Sequence, residues 1–208
     1  MTDDDSSLAT YFDRCAAEGV MAAFSAEEEP RIERLVRTWV LAPGRRVLEP
    51  GCGSGRLTER LARGVAPGGQ VLAFDISPGM IAKARERTLP GHVEFAVADA
   101  TAIPARDESF DVAVAFHVFP HFSDPAAALA ELARVLVQGG RLWVNHLKGS
   151  EELNAFHRTL SPAVAGHVLP GRDEMTRLLA EAGFDIALFE DGAPGYAVSA
   201  VLARRRTR

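Results

Sequence analysis

Apolar positions along this chain keep two rhythms in turn. Near-continuous runs such as Val71-Leu72-Ala73-Phe74 and Val112-Ala113-Val114-Ala115-Phe116 read as strands covered on both faces. Spaced sets such as Ile32, Leu35, Val36 and Trp39, or Met80, Ile81 and Ala84, fall on one face of a helix. Residues 1–10 are polar and read as a mobile end. Helices are predicted over 11–19 and 27–40, and Pro43-Gly44 separates them from a first strand over 46–50. A helix from Arg56 follows, then a strand over 71–75 and a helix that Ser77 caps and Pro78 opens. Strands over 93–98 and 110–119 come next, then a helix over 125–137. Gly139-Gly140 turns the chain into a strand over 141–147. Helices over 151–157 and 172–182 come after it, the second closed by Gly183. Residues 184–189 and 196–203 lie close enough in sequence to pair as a hairpin.

Strand and helix alternating in this way predict an α/β fold, with a parallel sheet covered on both faces. Such sheets take ligands at the carboxyl ends of their strands. Three strands close on an acid there: Glu49, Asp75 and Asp99.

The first strand breaks into Gly51-Cys52-Gly53-Ser54-Gly55. Glycine at every second position lets the backbone take positive φ and lets a ligand lie against the main chain. The following helix turns its free N–H groups toward that loop. A Walker-type phosphate loop needs Lys and Ser/Thr after the glycines, and neither follows Gly55. A dinucleotide loop needs G-x-G-x-x-G, and the spacing here is G-x-G-x-G. Glu49 would repel a pyrophosphate and attract an ammonium group. Asp75 stands 24 residues after Gly51, suited to gripping two ribose hydroxyls. These features point to a nucleoside-like ligand bearing a positive charge. A plain turn, with Asp75 flanking the next helix, is the other reading.

Composition narrows this further. With 208 residues, 47% hydrophobic and 25% charged, one soluble globular domain is expected. A net charge of −5 argues against a general nucleic-acid binder, despite the basic tail Arg204-Arg205-Arg206-Thr207-Arg208. Cys15 and Cys52 make neither a disulfide framework nor a metal signature, and Cys52 reads as a small packing residue. The acidic start is unlike a signal peptide, and no apolar run is long enough to span a bilayer. A cytoplasmic protein is expected.

Several pieces now come together in order. They are Val47-Leu48-Glu49-Pro50-Gly51-Cys52-Gly53-Ser54-Gly55, Phe74-Asp75-Ile76-Ser77-Pro78-Gly79-Met80, Ala98-Asp99-Ala100 with Ile103-Pro104, Ser109-Phe110-Asp111, and 132–142. Over about residues 30–205 the chain resembles the class I S-adenosylmethionine-dependent methyltransferases. The likeness is to the small-molecule branch that includes the ubiquinone/menaquinone methyltransferases (methyltransferase type 11). The family usually has Asp-x-Gly where Glu49-Pro50-Gly51 stands, and Glu is a common variant.

The resemblance implies a Rossmann-like, seven-stranded, mostly parallel sheet of order 3-2-1-4-5-7-6, strand seven antiparallel, with helices on both faces. It implies a helical lid over 1–42 and a methyltransferase domain over 43–208, with a helical insert at about 149–182. S-adenosyl-L-methionine is the implied cofactor and S-adenosyl-L-homocysteine its product. Glu49 would hold the amino group, and Gly51 and Gly53 would carry the methionine part. Asp75 would take the ribose hydroxyls. Ile76 and Met80 would touch the adenine, with Asp99 accepting from its amino group and the Ala100 N–H near a ring nitrogen. The implied activity is methyl transfer to a small-molecule acceptor by in-line displacement, in a monomer or homodimer without nucleic-acid or membrane partners. The competing class is a non-catalytic sensor or partner protein that binds the same nucleoside. The Asn/Asp-Pro-Pro-aromatic motif of base-methylating relatives is replaced by Phe116-His117-Val118-Phe119.

Five of the six histidines fall where such a fold builds its acceptor side: His117, His121, His146, His157 and His167. His117 and His146 are the candidates for proton removal. Tyr11, Phe12, His121, Asn154 and His157 are candidates for touching the acceptor. Three readings stay open: scattered structural imidazoles, a general base or orienting group, or a bound metal. No strict ligand spacing is present, so no metal ligand is assigned from the sequence.

Overall fold

Three parallel strands carry the glycine loop and its acids. In the computed structural model, which describes residues 3–203, these are β1 (Arg46–Pro50), β2 (Gln70–Asp75) and β3 (Val93–Val97). Leu48 pairs with Leu72, and Asp75 with Val97, so the carboxyl ends of β1, β2 and β3 form one rim. Between them run α3 (Thr58–Val65) and α4 (Pro78–Arg85), after α1 (Asp3–Ala17) and α2 (Glu29–Thr38). The remaining strands are β4 (Phe110–Phe116), β5 (Leu136–His146), β6 (Phe184–Gly192) and β7 (Gly195–Leu202). The helices among them are α5 (Pro125–Val135), α6 (Ser150–His157), α7 (Pro162–Ala165) and α8 (Arg172–Glu181). Strand order is β3-β2-β1-β4-β5-β7-β6, with β7 antiparallel to both β5 and β6. The expected sheet and its reversed last strand are therefore present.

The chain divides into two compact units after Asp99. In the first, α3 and α4 cover β1, β2 and β3, burying Val47, Leu48, Leu61, Val65, Phe74 and Ile81. In the second, α5 packs on β5 and α8, and α6 and α8 pack on β6. Leu129, Leu132, Val144, Leu179 and Tyr196 lie in its core. Among the described residues no helix is long and apolar enough to cross a membrane. The basic tail 204–208 lies outside the described residues.

Several elements differ from the sequence expectation, most by only one to three residues. The helix expected from residue 11 begins at Asp3, because a run of aspartates suits a helix N-terminus. Strand β4 stops at Phe116 rather than 119: His117 takes φ 59° and Phe119–His121 winds into a 3-10 turn around Pro120. Gly139 and Gly140 lie inside β5 instead of before it. They belong to an excursion: Phe110 pairs with Leu136, yet Val112 pairs with Arg141. Gly139 takes φ 78° there, a conformation that glycine adopts without steric cost. The short helix α7, capped by Ser161 and opened by Pro162, was not expected.

Helix α1 is tied to α4 by one carboxylate. The Ser77 hydroxyl donates to Asp13 Oδ1 at 2.5 Å, and the Gly79 N–H donates to the same oxygen at 2.8 Å. Ser77 in turn caps α4 by accepting the Met80 N–H at 3.0 Å. Asp13→Ala leaves the Gly79 N–H without this partner and costs about 1–2 kcal/mol. For a chain of this length that lowers the melting temperature by about 2–8 °C, readable by differential scanning fluorimetry.

Candidate functional site

The first unit builds a rim lined by carboxyl groups. Gly51, Gly53 and Gly55 all take positive φ (65°, 54° and 74°), so the loop curls back over the end of β2. The Cys52 N–H donates to the Phe74 carbonyl at 3.0 Å. Burial raises the Cys52 thiol well above its ordinary pKa, which makes it a packing residue and not a nucleophile. The Asp75 carboxylate holds both sides of the opening. Oδ2 accepts the Gly53 N–H and Oδ1 the Ser77 N–H, each at 2.9 Å. A carboxylate offers about four acceptor positions, so these bonds do not exhaust its capacity. Burial, the largest influence, raises the Asp75 pKa, and the backbone N–H groups of Ser77, Gly53 and Ile76 oppose it.

Glu49 lies deeper, 2% exposed. The Thr58 hydroxyl at the start of α3 donates to its Oε2 at 2.6 Å. Burial pushes its pKa up to about 8, against the pull of Thr58. Glu49 is thus mostly protonated at neutral pH in the unligated chain. A cation placed beside it would draw the proton off.

Met80 is buried, clustered with Cys15 and Ala16, and Tyr11 and Phe12 pack against that cluster. The two rings meet edge to face at 5.2 Å. Ile76 is half-buried after β2, and Asp99 follows the end of β3. Thr58, Asp13 and Arg87, whose Nε donates to the Ser54 carbonyl, were not anticipated. Their partners lie 9, 64 and 33 residues away.

The second unit gathers the histidines. The His117 N–H donates to the Asn145 carbonyl at 2.9 Å. Its Nε2 accepts the Leu147 N–H at 3.0 Å, which puts the ring proton on Nδ1. His117 stacks on Phe116 at 3.9 Å and on His146 at 5.4 Å. His146 is 4% exposed and its Nε2 has no hydrogen-bond partner. Burial holds its pKa well below the usual imidazole value.

His121 and His167 meet Nδ1 to Nδ1 at 2.8 Å. His157 Nδ1 lies 2.7 Å from the His167 carbonyl. A carbonyl only accepts, so this ring donates from Nδ1 and carries its lone pair on Nε2. Asn154 holds the Leu169 backbone from both ends of its amide, at 3.0 and 2.7 Å. His92, in the first unit, places its Nε2 3.2 Å from the Ala62 carbonyl, and its own carbonyl accepts the Val71 N–H at 3.0 Å. His167 had no assigned role from the sequence, because its partners lie 46 and 10 residues distant.

Residues 48–144 match the family described as Methyltransferase domain. The chain is 31% identical over 185 residues to the ubiquinone/menaquinone biosynthesis C-methyltransferase UbiE of Pseudomonas fluorescens, covering 73% of this chain and 70% of that protein. The UbiE of Ectopseudomonas mendocina is 34% identical over 148 residues, 67% of this chain and 58% of that protein. Across the first curated relatives the chain spans about half their length, between 44% and 58%. Among solved structures, a SAM-dependent methyltransferase from Aquifex aeolicus superposes with a TM-score of 0.70 at 25% identity. That match covers 83% of this chain and 89% of the other.

Proposed function

This chain belongs to the class I S-adenosylmethionine-dependent methyltransferases, and from that premise we propose that it methylates a small-molecule acceptor in the cytoplasm. The observation that carries the reading is Asp75. Its two oxygens are fixed by Gly53 and Ser77 without exhausting the acceptor positions of the carboxylate. That arrangement suits a ribose diol.

Each part of the nucleoside would have a partner among these residues. Asp75 would hold the ribose, and Glu49 the amino group of the methionine part. Gly51 and Gly53 would let that part lie against the backbone. Ile76 and Met80 would flank the adenine, with Asp99 and the Ala100 N–H at its polar edge. Bound S-adenosylmethionine supplies an electrophilic methyl on a sulfonium that departs as a neutral thioether. The protein's task is to align the acceptor and to take its proton. We assign orientation to the Nδ1–H of His117 and proton acceptance to His146, whose buried Nε2 has no partner. His121, His157, Asn154, Tyr11 and Phe12 would line the acceptor side. Residues 1–42 would act as the lid on the domain over 43–208, with its insert at about 149–182.

Incubation of the purified chain with methyl-labelled S-adenosylmethionine and a metabolite extract tests this reading. A labelled small molecule is expected, absent with Asp75→Asn. His146→Asn should slow its formation by about 100-fold while leaving the Kd for S-adenosylhomocysteine unchanged. Cofactor binding without any labelled product would instead make the chain a non-catalytic sensor or partner protein.

A further inference from the structure

Residues 21–24 lie between α1 and α2, tied by hydrogen bonds to the glycine loop and to the chain just after α4. We propose that Arg87 is a positioning residue that latches this strap to the loop, so that a nucleoside on the loop and an ordered strap stabilise one another. The proposal rests on the methyl-transfer reading of the loop and adds to it how the chain before β1 is held there.

Three successive carbonyls of the strap are taken by side chains. The Ser54 hydroxyl donates to the Met21 carbonyl at 3.3 Å. Arg87 Nη2 donates to the Ala22 carbonyl. Arg56 Nη1 donates to the Ala23 carbonyl at 3.4 Å, and the same guanidinium lies 4.3 Å from the Phe24 ring centroid. Arg87 also grips the loop itself, because its Nε donates to the Ser54 carbonyl at 2.5 Å. A guanidinium presents its N–H groups in a rigid fork. One side chain therefore bridges two chain segments that lie 33 and 65 residues from it.

Apolar burial does not fix the strap. Residues 17–23 are all exposed, Val20 at 43% and Met21 at 41%. Met21 is nevertheless held at φ 59°. A residue with a side chain rarely takes that conformation, and it persists where the surroundings hold it. The polar ties to Met21, Ala22 and Ala23 are those surroundings.

On the loop side, the Arg87 stem packs over Gly55. A Cβ added at Gly55 would stand 3.3 Å from Arg87 Cδ and 3.2 Å from the Ala84 Cβ. Glycine there admits the arginine as well as the positive φ. The neighbour of Ser54, Gly53, donates its N–H to Asp75, the carboxylate that would take the ribose. A ligand that steadies this stretch steadies the Ser54 carbonyl, and the fork of Arg87 passes the effect to residues 21–24. Such coupling is reciprocal: an ordered strap strengthens ligand binding by the same factor.

Hydrogen exchange read by mass spectrometry tests this on the full chain, over peptides covering residues 20–25, with and without S-adenosylhomocysteine. Without ligand, Arg87→Ala should speed exchange there by about tenfold. With saturating ligand the wild-type segment should gain about tenfold protection and the Arg87→Ala segment little. The Kd of Arg87→Ala for S-adenosylhomocysteine should rise by about tenfold. Arg87→Lys keeps the charge without the fork and should restore neither effect in full. Arg85→Ala, which removes a cation from α4 that donates to Phe95 instead, should match the wild type. A merely structural side chain would lower the melting temperature and leave the ligand-induced protection intact. Should Arg87→Ala fold poorly, Ser54→Ala releases the Met21 carbonyl and gives the second reading, with exchange about threefold faster. Unchanged exchange in the ligand-free variants overturns the latch, and equal ligand-induced protection in variant and wild type overturns the coupling. A wild-type chain that takes up no nucleoside overturns the methyl-transfer reading and the coupling with it, while the ligand-free arm still decides the latch.

Discussion

Glu49→Gln is expected to raise the stability of this protein at alkaline pH while removing its affinity for the cofactor. The folded chain keeps Glu49 protonated up to about pH 8, whereas in the unfolded chain the same group ionises near ~4.3. Its folded pKa is raised, so the folded state binds the proton more tightly. The contribution to stability is full below the unfolded value and is lost as pH rises through about 8. At pH 9 the buried carboxylate costs roughly 2–5 kcal/mol. Glutamine keeps the shape and can still accept the Thr58 hydroxyl. Its melting temperature should exceed wild type by roughly 5–15 °C at pH 9 and match it only near pH ~4, where Glu49 is protonated in both states. A wild-type advantage at pH 9 would contradict the assignment.

The same proton is expected to govern ligand binding. An ammonium group beside Glu49 favours the carboxylate, so binding below pH 8 releases a proton. Affinity for S-adenosylhomocysteine should then rise with pH toward 8, by up to about tenfold per pH unit. Titration calorimetry in buffers of different ionisation enthalpy reads the proton directly. A heat independent of buffer would show that no proton leaves and that Glu49 does not meet the amino group.

Asp75→Asn is expected to weaken S-adenosylhomocysteine binding by at least about 100-fold. Two charge-assisted bonds to a ribose diol contribute roughly 1.5–3 kcal/mol each. The asparagine also turns an NH2 group toward one of the two N–H donors, Gly53 or Ser77, that now face carboxylate oxygens. That mismatch loosens the loop and should destabilise the chain by about 1–3 kcal/mol. Thermal melting separates the two effects: full folding at the assay temperature with lost affinity is the expected pair of results. Undiminished affinity in the folded variant would remove Asp75 from the site.

The rim was legible because its parts are local. Each of the first three strands is an apolar run that closes on an acid, and parallel pairing brings those ends together. Glycine spacing and the Ser77-Pro78 cap are likewise written within a few residues. What stayed hidden depends on contacts across long separations. Thr58 holds Glu49 because α3 folds back on β1, and Asp13 holds α4 across 64 residues of chain. The pairing of His121 with His167 arises from the turn after α7, a helix of four residues with too little periodicity to notice. The excursion at Gly139 was misplaced since a glycine pair ending a helix and one bulging within a strand look alike in sequence. His117 ends β4 early by adopting positive φ, which no side-chain pattern announces.

Direct titration of the purified, folded chain with S-adenosylhomocysteine probes the central claim with least intervening inference. Saturable binding at one site per chain, abolished by Asp75→Asn, is the predicted result. A well-folded wild-type protein that takes up neither this nucleoside nor S-adenosylmethionine would contradict it.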